Sequence, residues 1–245
     1  MGSIRQSEDY HVVIPKFYTD SECDSICELI TNKSESLIRE YGDFALSNDN
    51  GYVGLTALHA SFNWIPLIEE ELNISLIERL VQQVDTRDVN DIFIKSWCNL
   101  WTTGEGIKPH RHASLEYEDG TKMQRPLIGK HEYKTIDAHL PFEDIARNHM
   151  ISGNVFLSEN EHREYGTWYQ GKGWVENIRG DLHLFSPLIV HSVDSNTRTE
   201  PRMSQAFDIH IDGHVTNTRL DPPSIYNETK GLDAFLHIEV RQEID

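Results

Sequence analysis

The sequence predicts an α+β fold, mainly β, with helices first and an antiparallel sandwich or barrel after them. Three observations carry this. Thr19-Asp-Ser-Glu22 is a capping-box pattern followed by apolar residues at helical spacing (Cys23, Ile26, Cys27, Ile30). A second apolar face recurs in steps of four from Leu72 through Leu76 and Leu80 to Val84. From about Ile92 the texture changes to short β-type runs separated by turn residues.

In chain order, His11 to Ile14 reads as a short strand ended by Pro15. The first helix follows the cap at Thr19. The second starts near Pro66, a residue favoured in a first turn, and runs unbroken to about Val84. The expected strands are Ile92 to Leu100, Gly153 to Leu157, Thr167 to Tyr169, Asp181 to Phe185, and Arg202 to Ile211. Residues 113–149 interrupt them with a long polar segment, the length of a lid or of a disordered insertion. No repeat, low-complexity tract or Pro/Gly/Ser-rich linker divides the chain. One domain over 1–245 is therefore expected, with helical support at about 19–85 and a barrel core at about 92–212.

Composition narrows the function. Lys+Arg 22 against Asp+Glu 40 gives a net charge of −18 over 245 residues. No basic surplus exists to displace phosphate counterions, which weighs against nucleic acid and against an anionic membrane surface. No apolar run approaches the roughly 20 residues of a membrane helix. No apolar stretch of the signal-peptide kind opens the sequence, so a cytoplasmic location is expected. Three cysteines make a disulfide framework improbable, and Cys23, Cys27 and Cys98 all fall in apolar runs that read as core.

The chemistry-bearing residues begin with His110-Arg-His112. In an extended segment, residues two apart face the same side, so both imidazoles point one way, as half a metal site or as a surface pair. His191 closes the apolar run that follows His183, where an imidazole needs a metal or a hydrogen-bond partner. The strand from Arg202 divides by parity. Arg202, Ser204, Ala206, Asp208 and His210 share one face, and Met203, Phe207, Ile209 and Ile211 the other. If the apolar face packs on the helices, the polar face lines a cavity. There Arg202 can take a carboxylate in a two-pronged hydrogen bond and Ser204 can add a third. A hairpin turn through Asp194 to Pro201 would bring Arg202 back beside His191, with Arg198 in that turn as its competitor and His183 as the competitor of His191.

The order of these features resembles the iron(II)- and 2-oxoglutarate-dependent dioxygenases over roughly residues 92–212. The matching pieces are Trp97-x-Asn99, Pro109-His110-x-His112, Ser152-Gly-Asn-Val-Phe-Leu157 and Tyr165-Gly-Thr-Trp-Tyr169. They continue with Gly180-Asp181, Phe185-Ser-Pro187, His191-x-Val193 and Arg202-x-Ser204. The resemblance implies a double-stranded β-helix, a jelly-roll or cupin-like barrel. It implies an oxidoreductase with iron(II), 2-oxoglutarate and O2, hydroxylating or otherwise oxidising a small molecule while 2-oxoglutarate becomes succinate. It implies metal ligands His110, His112 and His191, with Arg202, Ser204 and Asn99 around the cosubstrate and no catalytic residue beyond the metal site.

One departure stands out. The family pattern is His-x-Asp, and this chain has His-x-His. Two histidines and a carboxylate are the usual open iron site. Three neutral imidazoles leave the metal's charge to the bound oxo-acid, with Glu116 or Asp119 as the nearest replacement carboxylates. A histidine at that position also leaves no room for chloride, which favours hydroxylation over halogenation. Two rival readings remain: a three-histidine cupin-type enzyme with no oxo-acid, and a non-catalytic jelly-roll binding module. The first has little use for Arg202 and Ser204 beyond folding, and in the second the histidines are structural.

Overall fold

Side chains that alternate along the strands send one face toward the helices and the other into the space between two antiparallel sheets. The computed structural model describes residues 11–47, 63–83, 91–112, 149–159, 166–187, 189–211 and 236–239. Its elements are β1 (His11–Ile14), α1 (Asp20–Ser47), α2 (Ile65–Leu72), α3 (Leu76–Val81), β2 (Asp91–Trp101), β3 (Ile107–His110) and β4 (His149–Phe156). They continue with β5 (Gly166–Tyr169), β6 (Gly173–Glu176), β7 (Leu182–Phe185), β8 (His191–Val193), β9 (Arg202–Ile211) and β10 (Leu236–Glu239).

A six-stranded sheet has the order β1-β7-β4-β9-β2-β10, and a four-stranded sheet the order β3-β8-β5-β6. From β2 to β9 the chain crosses from one sheet to the other at every step except the hairpin β5–β6. That winding is a double-stranded β-helix, the jelly-roll arrangement. The sheets face each other: Tyr169 of β5 meets Phe185 of β7 with ring centroids 5.2 Å apart.

Outside the six-stranded sheet lies the larger core. Ile92, Ile94 and Cys98 of β2, Ile151 and Val155 of β4, and Met203, Phe207 and Ile209 of β9 pack with Cys23, Ile26 and Ile30 of α1 and with Ile65, Ile68, Leu76 and Leu80 of α2 and α3. Gln205 sits among them fully buried, against the parity of its face. It is tolerated because Tyr18 donates its hydroxyl to Gln205 Oε1 (2.8 Å) and Gln205 Nε2 donates to Ser96 Oγ (2.8 Å). β10 pairs with β2 only as far as Ile94, and the chain entering α2 covers the open edge beyond it. Trp64 N donates to Ser96 O (2.9 Å), and Ser96 N donates to Asn63 Oδ1 (3.2 Å).

The capping box forms as the sequence requires: Glu22 N donates to Thr19 Oγ1 (3.2 Å) and Thr19 N to Glu22 Oε2 (2.8 Å). Glu22 also pairs with Arg79 Nη2 at 2.6 Å, tying α1 to α3. Gly180 (φ +81°) enters β7 where no side chain fits, because a Cβ would lie 2.4 Å from Tyr18 O.

Three expectations need correction. The second helix is two helices. Asn73 adopts a left-handed conformation (φ 53°, ψ 40°) that ends α2, and Glu69 Oε1 accepts from Ile77 N at the start of α3. The stretch 194–201 is not a hairpin beside His191 but the crossing from β8 to β9, in opposite sheets. It is pinned to the β2–β3 loop, since Asn196 donates to Trp101 O (3.0 Å) and to Glu105 O (2.7 Å). The polar segment stops one residue early: His149 already opens β4. Residues 113–148 lie outside the described residues, and with them Glu116 and Asp119. Among the described residues, no helix is long and apolar enough to cross a membrane.

Candidate metal centre

His110 and His191 are directly opposed across the β3–β8 pair. Gly106 permits the approach of these strands, since a Cβ there would lie 2.7 Å from Val193 O. His112 follows β3 and is held by its own backbone N–H, which donates to Pro187 O at 3.0 Å. The ring centroids lie 4.3 Å (His110–His191), 5.0 Å (His112–His191) and 5.4 Å (His110–His112) apart. One ring nitrogen from each lies within 4.8 Å of the others.

The outer nitrogens decide what the inner ones can do. His110 Nδ1 is 3.0 Å from Lys108 O, His191 Nδ1 is 3.2 Å from Ile189 O, and His112 Nδ1 is 2.6 Å from Asp208 Oδ1. Carbonyl and carboxylate oxygens only accept, so each Nδ1 carries the proton. In the neutral ring that proton position leaves the lone pair on Nε2, the form that binds a metal. Burial, followed by the neighbouring His110 and His112, holds His191 well below the ordinary imidazole pKa, so it stays neutral. Nitrogens about 2.1 Å from a shared metal are about 3 Å apart, so the three rings would draw together to bind one.

Trp97 and Phe185 wall the triad, with centroids 5.6 Å from His112 and 4.7 Å from His191. The space between the sheets is also lined by Asn99, Trp101, Asn154 and Tyr169. The closed space among them is small, about 30 Å³. A chelating diacid needs lining side chains to swing aside.

β2 and β9 carry the other predicted residues, with Asn99 opposite Ser204 and Trp101 opposite Arg202. Asn99 Nδ2 donates to Ser204 Oγ (3.1 Å), which leaves the serine its own hydrogen to donate. Arg202 is buried, donates from Nη2 to Asp194 O (2.6 Å), and lies over the Trp101 ring at 4.8 Å. Trp101 Nε1 and Asn99 Oδ1 are buried without a hydrogen-bond partner among the described residues. A buried orphan N–H costs about 1–3 kcal/mol, so it marks a place suited to an acceptor.

The competitors for these roles are engaged elsewhere. His183 lies 3.4 Å from the Tyr169 hydroxyl and 3.3 Å from His11 Nε2, and burial, followed by His11, pushes its pKa down to about 4. Arg198 stays in the crossing, near Glu200 (3.5 Å) and Glu159 O (3.3 Å). Two site residues escaped sequence reasoning. Asp208 was placed on the right face, but nothing local shows that it meets His112 across 96 positions. Trp101 lies just past the expected strand end, and its only signal was the step of two from Trp97 and Asn99.

No family model and no curated protein matches the chain. Among solved structures it is similar to HygX from Streptomyces hygroscopicus with nickel and 2-oxoglutarate bound, at TM-score 0.47 and 16% identity over 83% of this chain and 82% of that one. It is similar to the non-heme monooxygenase ThoJ in its nickel complex, at TM-score 0.46 and 13% identity over 83% and 74%. A third is the viral collagen prolyl hydroxylase of Paramecium Bursaria Chlorella virus-1, at TM-score 0.45 and 11% identity over 82% and 89%.

Proposed function

We propose that this chain is an iron(II)- and 2-oxoglutarate-dependent oxygenase that oxidises a small molecule, with hydroxylation as the simplest outcome. The observation that carries the reading is the triad whose three Nδ1 protons are all spent on oxygen acceptors, leaving three Nε2 lone pairs inside a jelly-roll cavity. His110, His112 and His191 would hold the metal through those atoms. Iron(II) with 2-oxoglutarate and O2 supplies a two-electron oxidation of substrate while the oxo-acid goes to succinate and CO2; this chemistry belongs to the bound groups.

The protein's part is to bind, orient and keep water out. Arg202 offers a planar fork to a carboxylate, the Ser204 hydroxyl has a hydrogen to donate, and Trp101 Nε1 has an N–H to donate. These donors give the oxo-acid reading its advantage over a three-histidine enzyme that uses none. Trp97, Tyr169 and Phe185 supply the apolar wall. The helices share one core with the six-stranded sheet, and we read helices and barrel as a single working unit.

The test is incubation with iron(II), 2-oxoglutarate and O2, with and without a metabolite library. Release of succinate that a chelator abolishes, and a library member gaining one oxygen, support the reading. Iron binding with no 2-oxoglutarate consumption would move the chain to the three-histidine class.

A further inference from the structure

The His-x-His departure raises a charge question, and the structure contains an answer on another strand. Asp208 of β9 is 2% exposed and lies in the sheet opposite β3. Its Oδ1 accepts from His112 Nδ1 at 2.6 Å and from Ser152 Oγ at 3.0 Å. Among the described residues, His112 is the triad member hydrogen-bonded to a carboxylate, whereas the Nδ1 atoms of His110 and His191 meet backbone carbonyls. A carboxylate at 2.6 Å from an imidazole N–H is a short, charge-assisted contact, and it pulls electron density toward the far nitrogen.

We propose that Asp208 is the positioning residue of the metal centre, supplying through His112 the negative charge that a ligating carboxylate supplies in a two-histidine, one-carboxylate site. The proposal rests on the reading of the triad as a metal site. His112 and Asp208 act as one composite ligand: the imidazole bonds the metal, and the carboxylate behind it fixes the tautomer, orients the ring and balances charge. Ser152 restrains the carboxylate by donating to the same oxygen. This account also removes the need for Glu116 or Asp119 as ligands.

The pair makes an unusual mutational prediction. His112→Asp restores the sequence pattern His-x-Asp, yet it sets a second carboxylate near buried Asp208, where like charges disfavour each other. It should therefore bind iron more weakly than the natural histidine. Adding Asp208→Asn removes the repulsion, so the double variant should bind better than His112→Asp alone. Asp208→Asn by itself leaves a neutral amide behind His112 and should weaken iron about 10- to 100-fold, the usual loss for such a partner.

The experiment measures iron(II) affinity of the four purified chains by competition with a colorimetric chelator, and the reduction potential of the bound metal. Thermal unfolding of each apo chain checks folding. The expected pattern is a higher potential and weaker binding in Asp208→Asn, weaker binding in His112→Asp, and partial recovery in the double variant. A charge effect moves the potential, whereas mere loss of packing does not. If Asp208→Asn keeps wild-type affinity and potential, or His112→Asp binds as well as wild type with Asp208 in place, the proposal is overturned. Should Asp208→Asn fail to fold, the His112→Asp arm still decides. Wild type failing to bind iron at all would instead sink the metal reading beneath it.

Discussion

Arg202→Lys separates an oxo-acid enzyme from a general metal protein. Arg202 is buried, donates one hydrogen bond to Asp194 O at 2.6 Å, and lies over the Trp101 ring at 4.8 Å. Lysine keeps the positive charge and can keep one of these contacts, but it loses the planar fork. One charge-assisted hydrogen bond lost to a carboxylate is worth about 1.5–3 kcal/mol. At 1.36 kcal/mol per factor of ten, 2-oxoglutarate should bind about 10- to 150-fold more weakly. Iron affinity should change little, because no triad nitrogen or its Nδ1 partner is altered. The assay is anaerobic titration of the iron-loaded chain with 2-oxoglutarate, following the metal-to-ligand absorption band. Arg202→Ala should abolish measurable binding and Arg198→Ala should leave it intact, since Arg198 is held in the crossing by Glu200 and Glu159 O. Unchanged affinity in Arg202→Lys, or a loss only in Arg198→Ala, refutes the anchor.

Three other outcomes follow from single features. Trp101→Phe keeps an aromatic face for Arg202 but removes the orphan N–H, so it should weaken 2-oxoglutarate about tenfold while apo thermal stability holds or rises; weaker binding of 2-oxovalerate to the same degree would show loss of shape instead. His183 is neutral in the fold with a pKa near 4 against 6.5 unfolded. Its contribution is present above pH 6.5 and is lost as pH falls toward 4, amounting to about 3 kcal/mol. Urea denaturation of the apo chain at pH 7 and pH 4 should show a smaller loss in His183→Asn than in wild type. Burial pushes the Cys23 thiol up to about 12, Cys27 up to about 11 and Cys98 well above its ordinary value. A thiol reagent at pH 8 should therefore react with these three slowly in the native chain and rapidly in urea, and fast native labelling of Cys23 or Cys98 would contradict their burial.

The longer strands β2, β4 and β9 were legible because period-two alternation survives there, one face packing on the helices and the other turning away from them. What alternation does not encode is which sheet a strand joins. The stretch after His191 has the turn residues of a hairpin, and contacts with the distant end of β2 and the loop after it, among them Asn196 to Trp101 O and Glu105 O and Thr103 Oγ1 to Arg198 O, hold it as a crossing. Steps of four cannot show that Asn73 turns left-handed and splits one helix into two. Short strands such as β6 and β8, of four and three residues, offer too few positions for any period to register. At the candidate site, the order and spacing of the three histidines and of Arg202-x-Ser204 were visible in the sequence, and the structure brings the three histidines together. Asp208 was not visible as a partner, because a partner's identity depends on how two sheets face each other. Gln205 broke the parity rule for a similar reason, its partners being Tyr18 and Ser96 on distant segments.

The most direct measurement is a crystal structure of the chain soaked anaerobically with iron(II) and 2-oxoglutarate, with the metal located by its anomalous signal. One metal should appear, about 2.1 Å from Nε2 of His110, His112 and His191. Asp208 should still be hydrogen-bonded to His112 Nδ1, and the far carboxylate of the oxo-acid should lie against Arg202 and Trp101 Nε1. A metal bound through any Nδ1, a metal that leaves His112 out, or an oxo-acid whose far carboxylate avoids Arg202 would contradict the account.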